Sequence, residues 1–142
     1  MIEVLSGPFS DQVLCEPVFS IRRSVFVDEQ QVSESEEFDE FEKSAIHYLG
    51  LLNGQPAGTA RWRITSQGIK LERFAVLRSL RNKGVAAAIL KRVIQDTLQP
   101  GVKIYLHAQL TAQGFYEKYG FKTEGDIFDE CGILHYKMYL AR

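Results

Sequence analysis

The chain has 142 residues, of which 45% are hydrophobic and 25% charged, and this composition predicts one soluble globular domain spanning residues 1–142. A formal net charge of −1 excludes a general attraction to nucleic acid or to an anionic membrane. The two cysteines, Cys15 and Cys131, form no CxxC pair and no cluster with histidine, so we expect a reducing compartment and no metal site. Because no signal-peptide pattern or bilayer-length apolar run is present, we expect a cytoplasmic protein.

The first third of the chain predicts a strand, a helical segment and an acidic stretch. Residues 1–5 are typical of a short strand, and Ser10 or Asp11 can cap a helix that runs toward Glu29. Pro17 lies inside this segment and can divide it into two helical pieces. The sequence SESEEFDEFEKS at 33–44 follows and is rich in carboxylates.

The remainder of the chain predicts a mixed sheet. Its predicted strands are 46–52, 55–65, 69–76, 102–108, 121–127 and 133–140. Asn53-Gly54 suits a type I′ hairpin, a helix is expected at 84–98, and Thr111 can cap a short helix that ends at Gly120. This order indicates an α/β (mixed α+β) fold, with a mainly antiparallel sheet of six to seven strands and helices on both faces. Where antiparallel order changes to parallel, strands can splay and admit a ligand.

A cationic turn precedes the helix at 84–98. Arg78, Arg81 and Lys83 lie in this turn, and Gly84 allows the backbone to approach a bound group closely. A helix start presents unpaired amides and a partial positive charge, so the turn predicts an anion site. Neither a P-loop sequence nor GxGxxG is present. The alternative is a solvated basic helix start.

Two segments resemble signatures of the GNAT superfamily of N-acetyltransferases. Arg81-x-x-Gly84-x-Ala86 is similar to its acyl-CoA signature [Q/R]-x-x-G-x-[G/A], and AQGFYEKYGF at 112–121 is similar to its A-x-x-[FL]-Y-x-[KR]-x-G-F segment. The sequence at 21–49, with RRSVFVDEQ and its acidic stretch, resembles the YjcF/ElaA-like subgroup of small bacterial acyltransferases. The resemblance implies the GNAT fold, with an acyl-CoA cleft between splayed strands.

The resemblance also implies that acetyl-CoA is the acyl donor and that it binds mainly to backbone groups. Its pantetheine arm would lie along a splayed strand and its pyrophosphate on the amides of the cationic turn. Gln109 stands where many relatives have an asparagine that touches pantetheine. The implied cofactor-binding residues are Phe74, Ala75, Val76, Arg81, Asn82, Lys83, Gly84, Val85, Ala86, Gln109 and Phe115.

The implied reaction needs an acid and a base. A primary amine with a pKa of about 10 must lose a proton before it attacks a thioester, and the leaving thiolate gains one. Tyr116 occupies the family position of the acid, with core packing as the alternative. Glu72 is the candidate base, since alternation would place it on the same strand face as Phe74, although it can instead pair with Arg61 or Arg63. His107 and His47 are reserve candidates for the base.

The acidic stretch and the helical segment before it predict the acceptor side. Their carboxylates favour a cationic primary amine of a small molecule or peptide as acceptor, such as a polyamine, an amino sugar or a Lys-like amine, unless the stretch is only a solvated loop. The candidate acceptor-binding residues are Arg22, Phe26, Glu29, Asp39 and His47. The alternating final strand also suggests a possible homodimer.

Three other functions fit parts of the sequence. A catalytically silent acyl-CoA sensor would keep the cofactor site without needing Tyr116 or Glu72. A homoserine-lactone synthase is disfavoured by the short chain, and nucleic-acid binding by the near-neutral charge.

Overall fold

The computed structural model describes residues 1–142 and contains a seven-stranded sheet flanked by helices. The strands are β1 (Ile2–Pro8), β2 (Ile46–Leu52), β3 (Gln55–Thr65), β4 (Gly68–Val76), β5 (Ile104–Gln109), β6 (Phe121–Glu130) and β7 (Ile133–Leu140). The α-helices are α1 (Gln12–Arg22), α2 (Glu34–Glu37), α3 (Val85–Thr97) and α4 (Gln113–Lys118). No helix has both the length and the apolar character that a membrane crossing requires.

The sheet has the strand order β1-β2-β3-β4-β5-β7-β6, and only the β4–β5 pair is parallel. The predicted mixed, mainly antiparallel sheet is therefore confirmed. The β2–β3 hairpin turns at Asn53 and Gly54, whose φ values of 52° and 82° agree with the predicted type I′ turn. Because β7 lies between β5 and β6, the final strand is not a free edge, and a homodimer cannot form by pairing along it.

The helical segment after β1 differs from the prediction at one point. Asp11 caps α1 by accepting a hydrogen bond from the Leu14 amide, as predicted. Pro17 does not divide the helix. Proline has no amide hydrogen, so the carbonyl of Val13, four residues earlier, lacks its helical hydrogen bond. Val13 is 88% exposed, so water can hydrogen-bond to this carbonyl instead. The regular α-helix ends instead at Arg22 and continues as a π-helical turn, Arg23–Glu29.

The two faces of the sheet carry separate hydrophobic clusters. Tyr48 of β2 belongs to the cluster under α3, and the next residue, Leu49, belongs to the cluster under α1. Helix α3 approaches the sheet closely because glycines lie beneath it: a Cβ on Gly58 would come within 2.9 Å of Val85 Cγ1. This contact positions the first residue of α3 over the middle of the sheet.

Strands β4 and β5 pair only briefly and then separate. Their register extends over three residues, from Ile69 opposite Ile104 to Leu71 opposite Leu106. Beyond that point β4 contains a β-bulge at Arg73, which has a φ of 61°. The prediction that strands splay at the change from antiparallel to parallel order is confirmed.

The short helix that follows β5 starts later than predicted. Thr111 lies within a 3₁₀ turn, Leu110–Ala112, and does not cap the helix. Helix α4 starts at Gln113 and is followed by Gly120 with a φ of 94°, the conformation expected of a terminating glycine.

Candidate active site

A cleft of about 160 Å³ lies where β4 and β5 separate. Its walls come from both strands, from the end of the π-helical turn, from α4 and from the β6–β7 hairpin. The end formed by Gln30 and Gln109 adjoins Glu29, which pairs with Arg81, and the other end is lined by ionisable side chains. Among the predicted residues that line the cleft are Phe26, Glu72, Phe74, Gln109 and Tyr116.

The predicted anion site is a run of unpartnered amides. None of the backbone N–H groups from Arg81 to Ala86 has a hydrogen-bond acceptor within the protein. Asn82 and Gly84 have φ values of 63° and 88°, in the left-handed region. This conformation bends the backbone, so that successive N–H groups of the turn can surround an anion without forming the regular hydrogen bonds of a helix. Gly84 is the residue before α3 and supplies no side-chain cap. The run is therefore open to an anionic group.

The side chain of Arg81 is already engaged. Its Nε donates to the carbonyl of Val76 at 2.9 Å, and its Nη atoms donate to the two carboxylate oxygens of Glu29 at 2.7 and 2.8 Å. The hydrogen bond from Arg81 lowers the pKa of Glu29. Glu29, predicted at the acceptor side, thus lies at the cationic turn.

A second contact crosses the cleft at the same end. Gln109 Nε2 donates to Gln30 Oε1 at 2.9 Å, and both side chains line the cleft. Sequence reasoning found Gln109 but not its partner, because the two residues are 79 positions apart. This pair and the Glu29–Arg81 pair both join the end of the π-helical turn to the sheet side of the cleft.

Tyr116 lies in an aromatic cluster at the wall of the cleft. It is 7% exposed, and its ring packs edge-on against Phe74, with centroids 5.9 Å apart, and against Phe115 at 5.2 Å. Burial raises the pKa of Tyr116. No protein group hydrogen-bonds its hydroxyl, which leaves the phenol protonated and free to donate. Phe115 packs behind Tyr116 and is not part of the cleft wall.

The bulge at Arg73 overturns the sequence argument for Glu72. Alternation alone would put Glu72 on the same face as Phe74. The extra residue shifts the alternation, so that Leu71 and Phe74 pack with the cluster under α3, whereas Ala75 packs with the cluster under α1. Glu72 points to the α1 face with its neighbours on β3.

Glu72 forms ion pairs with Arg61 and Arg63, as in the alternative to the prediction that it is the base. Its Oε1 accepts from Arg61 Nε at 3.1 Å and from Arg63 Nε at 2.8 Å, and Lys70 Nζ is 3.2 Å from Oε2. Burial alone would raise the pKa of Glu72, but Arg61, Arg63 and Lys70 outweigh it and hold the pKa at about 2. A carboxylate with so low a pKa is a poor proton acceptor.

The acidic stretch folds onto buried arginines. Arg22, which is 1% exposed, donates to Glu37 and to both carboxylate oxygens of Glu42 at 2.8 Å. Arg61 is fully buried and donates to Asp39 at 2.8 and 2.9 Å as well as to Glu42. Arg22 and Asp39 are therefore parts of a buried ionic network and do not line the cleft.

His47 is also remote from the cleft. It is fully buried on β2, and its Nε2 lies 2.9 Å from the carbonyl oxygen of Glu42. Burial lowers its pKa. Its predicted roles in acceptor binding and as a reserve base are not supported, because cross-strand packing places it beside Arg61 and against Phe19.

The polar end of the cleft contains residues that the sequence did not single out together. Glu130, Cys131 and His135 of the β6–β7 hairpin line it with His107 of β5, and Arg73 reaches it from the bulge. His107 was visible in the sequence as a polar residue alternating with the apolar Leu106 and Ala108. No local signal marks Glu130, because it meets His107 only after β6 folds back beside β7.

The comparisons with known proteins agree with this geometry. Residues 10–142 match the family model described as the acetyltransferase (GNAT) domain. The chain therefore belongs to the GNAT acetyltransferases, as the motifs predicted, and is an acyltransferase of the acyl-CoA-dependent kind.

Individual relatives cover most of the chain. YyaT of Bacillus subtilis (strain 168) is 40% identical over 122 residues, which are 83% of this chain and 82% of YyaT. The uncharacterized N-acetyltransferase YjcF of the same organism is 37% identical over 84% of this chain and 87% of YjcF. The crystal structure of Escherichia coli ElaA superposes with a TM-score of 0.87 at 24% identity, over 99% of this chain and 100% of ElaA, and it supports the fold.

Proposed function

We propose that the protein transfers an acetyl group from acetyl-CoA to the primary amine of a small, cationic molecule by direct attack. The observation that carries the proposal is the run of unpartnered amides at 81–86, where Arg81 is hydrogen-bonded to Val76 at the end of β4, beside a gap between β4 and β5 that Tyr116 lines. An anionic head, an extended arm and a reactive end can be accommodated in that order along the cleft.

The residues present fit coenzyme A. The six amides at 81–86 would hold the pyrophosphate, because a helix start with open N–H groups favours negative charge. The backbone of Ala75 and Val76 is paired with β3 on one side, Phe74 lies in the bulge before them, and none of the three has a strand partner on the β5 side. An extended amide-containing arm can add there in the manner of a strand. Gln109 lies across the gap and would contact this arm.

When bound, acetyl-CoA supplies a thioester carbonyl that an amine can attack. The chain provides the surrounding groups. Tyr116 would donate its phenolic proton to the departing sulfur, since it lines the cleft and its hydroxyl forms no competing hydrogen bond in the protein. Phe26, Phe74 and Tyr116 limit access of water from the apolar walls.

The charge of the polar end supports a cationic acceptor. Glu36 and Glu130 line the cleft without an arginine partner: Glu36 is hydrogen-bonded by Ser33 and Cys131, and Glu130 lies beside His107. Glu37, Asp39 and Glu42 of the acidic stretch are instead paired with the buried Arg22 and Arg61. The attraction for an amine would therefore come from Glu36 and Glu130.

Calorimetry with CoA and a thiol-release assay test the proposal. We expect CoA to bind, and free thiol to appear when acetyl-CoA is mixed with spermidine, glucosamine or Nα-acetyl-lysine. The matched variants are Arg81→Ala, which should weaken CoA binding, and Arg78→Ala, which changes a neighbouring cation outside the unpartnered run. Binding without thiol release from any of the three amines would contradict the proposed acceptor class. Absence of CoA binding would contradict the assigned donor site.

A further inference from the structure

His107 and Glu130 form a hydrogen-bonded pair at the polar end of the cleft. His107 Nδ1 lies 2.9 Å from Glu130 Oε1, and both residues line the cleft. We propose that His107 is the catalytic base that takes the proton from the acceptor amine, and that Glu130 is the positioning residue that fixes the imidazole. This inference rests on the proposed function and names a base for the same site.

The geometry leaves one ring nitrogen available. Because Glu130 is a carboxylate, it accepts the Nδ1 proton of His107 and so leaves the lone pair on Nε2. Nε2 has no partner in the protein, and 24% of the side chain is exposed. The ring is held edge-on by Phe128, with centroids 4.9 Å apart, and is tilted against Tyr105 at 6.2 Å. A positioned imidazole with a free nitrogen facing a cleft is suited to general base catalysis.

The other candidates are less suited to this task. Glu72 is buried among three cations that stabilise its ionised form. His135 also lines the cleft, but its Nδ1 lies 2.7 Å from the carbonyl oxygen of Ile133, and only 8% of its side chain is exposed, against 24% for His107. His47 does not reach the cleft.

The surrounding charges are mixed. On β6, Glu130 faces the imidazole directly, and its pKa is lowered chiefly by the hydrogen bond with His107. On β7, Lys137 is the register partner of His107, and His135 lies beyond Glu130. On β4, Lys70 lines the same part of the cleft and is paired with Glu72. The carboxylate that touches the ring therefore selects its tautomer, while the lysines lie farther out.

The proton balance of the step is complete. His107 Nε2 accepts one proton from the acceptor ammonium, which frees the nitrogen lone pair, and later releases this proton to solvent. As the C–N bond forms and the C–S bond breaks, the electron pair of the C–S bond goes to sulfur, which takes a proton from Tyr116. The second proton that nitrogen loses replaces the one given up by Tyr116. One proton is released per amide formed.

Chemical rescue is the decisive experiment. We expect His107→Ala to bind CoA with wild-type affinity in calorimetry, to release thiol at least about 100-fold more slowly, and to recover activity as imidazole is added. The assay uses acetyl-CoA with whichever of spermidine, glucosamine and Nα-acetyl-lysine the wild-type protein turns over fastest. His135→Ala removes a neighbouring imidazole from the same cleft, and imidazole should not raise its rate.

Glu130→Gln tests the positioning role. The amide keeps the shape of the side chain but can present its NH2 group instead of an oxygen to Nδ1, so the tautomer of His107 is no longer fixed. We expect kcat to fall about 10-fold while the KM for acetyl-CoA stays unchanged. An unaltered kcat would overturn the role of Glu130. If His107→Ala folds and binds CoA but keeps its rate, or gains no activity from imidazole, the assignment of His107 as base is overturned. The proposed function would not be affected by that result. A wild-type protein that binds CoA but acetylates none of the three amines would contradict the proposed function and, with it, this inference.

Discussion

Arg81 combines two contacts that a bound pyrophosphate would have to compete with or accommodate. Its guanidinium is paired with Glu29, and its Nε is bonded to the Val76 carbonyl, on the strand segment that we assign to the pantetheine arm. Both side chains of the ion pair are about one-third exposed, so the pair contributes modestly to stability. Its effect should be seen mainly in ligand affinity.

Glu29→Gln should therefore tighten CoA binding. Removing the carboxylate frees the guanidinium for phosphate, and an ion pair of this exposure corresponds to an affinity gain of about two- to fivefold. Calorimetry with CoA measures the change. Glu34→Gln is the matched control, because Glu34 pairs with Arg23 on the exposed surface outside the cleft. Weaker CoA binding by Glu29→Gln would show that Glu29 supports the site.

Tyr116→Phe should separate catalysis from packing. Phenylalanine keeps the ring contacts with Phe74 and Phe115, so CoA affinity and melting temperature should stay close to those of the wild type. Loss of the phenolic proton should slow thiol release by at least about 10-fold. Tyr119→Phe, which changes a partly exposed ring packed on Phe115, serves as control. Equal rates for the two variants would assign Tyr116 to packing only.

At the level of elements, the proposed donor site depends on how closely α3 lies over the sheet. Gly58 leaves space for Val85, the first residue of α3, and Gly50 leaves space for Ile89 one turn further along the helix. The unpartnered amides include those of Val85 and Ala86, at the start of the helix that makes this contact. A shift of α3 away from the sheet would move the open amides relative to the gap between β4 and β5.

Gly58→Ala should thus weaken both folding and CoA binding. The new Cβ would lie 2.9 Å from Val85 Cγ1 and 3.0 Å from the Ala75 carbonyl oxygen, and the backbone atom cannot move aside cheaply. We expect a loss of about 1–3 kcal/mol in the free energy of unfolding, measured by urea denaturation. Gly114→Ala is the control, because a Cβ there meets no atom within 4 Å. If Gly58→Ala is destabilised but binds CoA with unchanged affinity, CoA binding at the proposed donor site does not depend on the position of α3.

At the level of the whole molecule, the acidic stretch is attached to the sheet by buried ion pairs. Arg61 of β3 joins Asp39, Glu42 and Glu72, and Arg22 of α1 joins Glu37 to Glu42. These contacts connect α1, the acidic stretch and the neighbouring strands β3 and β4. Breaking one partner would leave a buried charge uncompensated.

This network predicts loss of stability in acid. The folded-state pKa of Glu72 is about 2, against an ordinary value of 4.5, so its contribution is complete above pH 4.5 and is lost as the pH falls toward 2. The size of that contribution is on the order of 3 kcal/mol. Asp39, also with a pKa of about 2, likewise contributes stability that is lost in acid. Burial raises the pKa of Glu37, so this residue makes the opposite contribution to the pH dependence of stability.

Urea unfolding between pH 6 and pH 3 measures this dependence. Glu72→Gln should unfold more easily at pH 6 and show a flatter decline in acid, since one of the three ionised partners of Arg61 is absent at every pH. Glu117→Gln, at an exposed position on α4, should follow the wild type. A decline in acid that is as steep in Glu72→Gln as in the wild type would contradict the role given to this ion pair.

The sequence by itself determined the features that depend on residues a few positions apart. Asn53-Gly54 specified the hairpin, Gly84 the left-handed residue before α3, and the motifs at 81–86 and 112–121 the family. The order of strands and helices indicated a sheet with one parallel pair, and hence the position of the cleft. Each of these signals is short, because turn conformation and helix starts are decided by local backbone preferences.

Only the tertiary structure decided which ionisable groups meet. A single extra residue at Arg73 moved Glu72 to the opposite face of β4 from the one that alternation predicts, where Arg61 and Arg63 hold it. His107 and Glu130 come together only when the β6–β7 hairpin folds back beside β5. Strand register and bulges depend on packing between distant segments, and a shift of one residue reverses the face on which every later side chain lies.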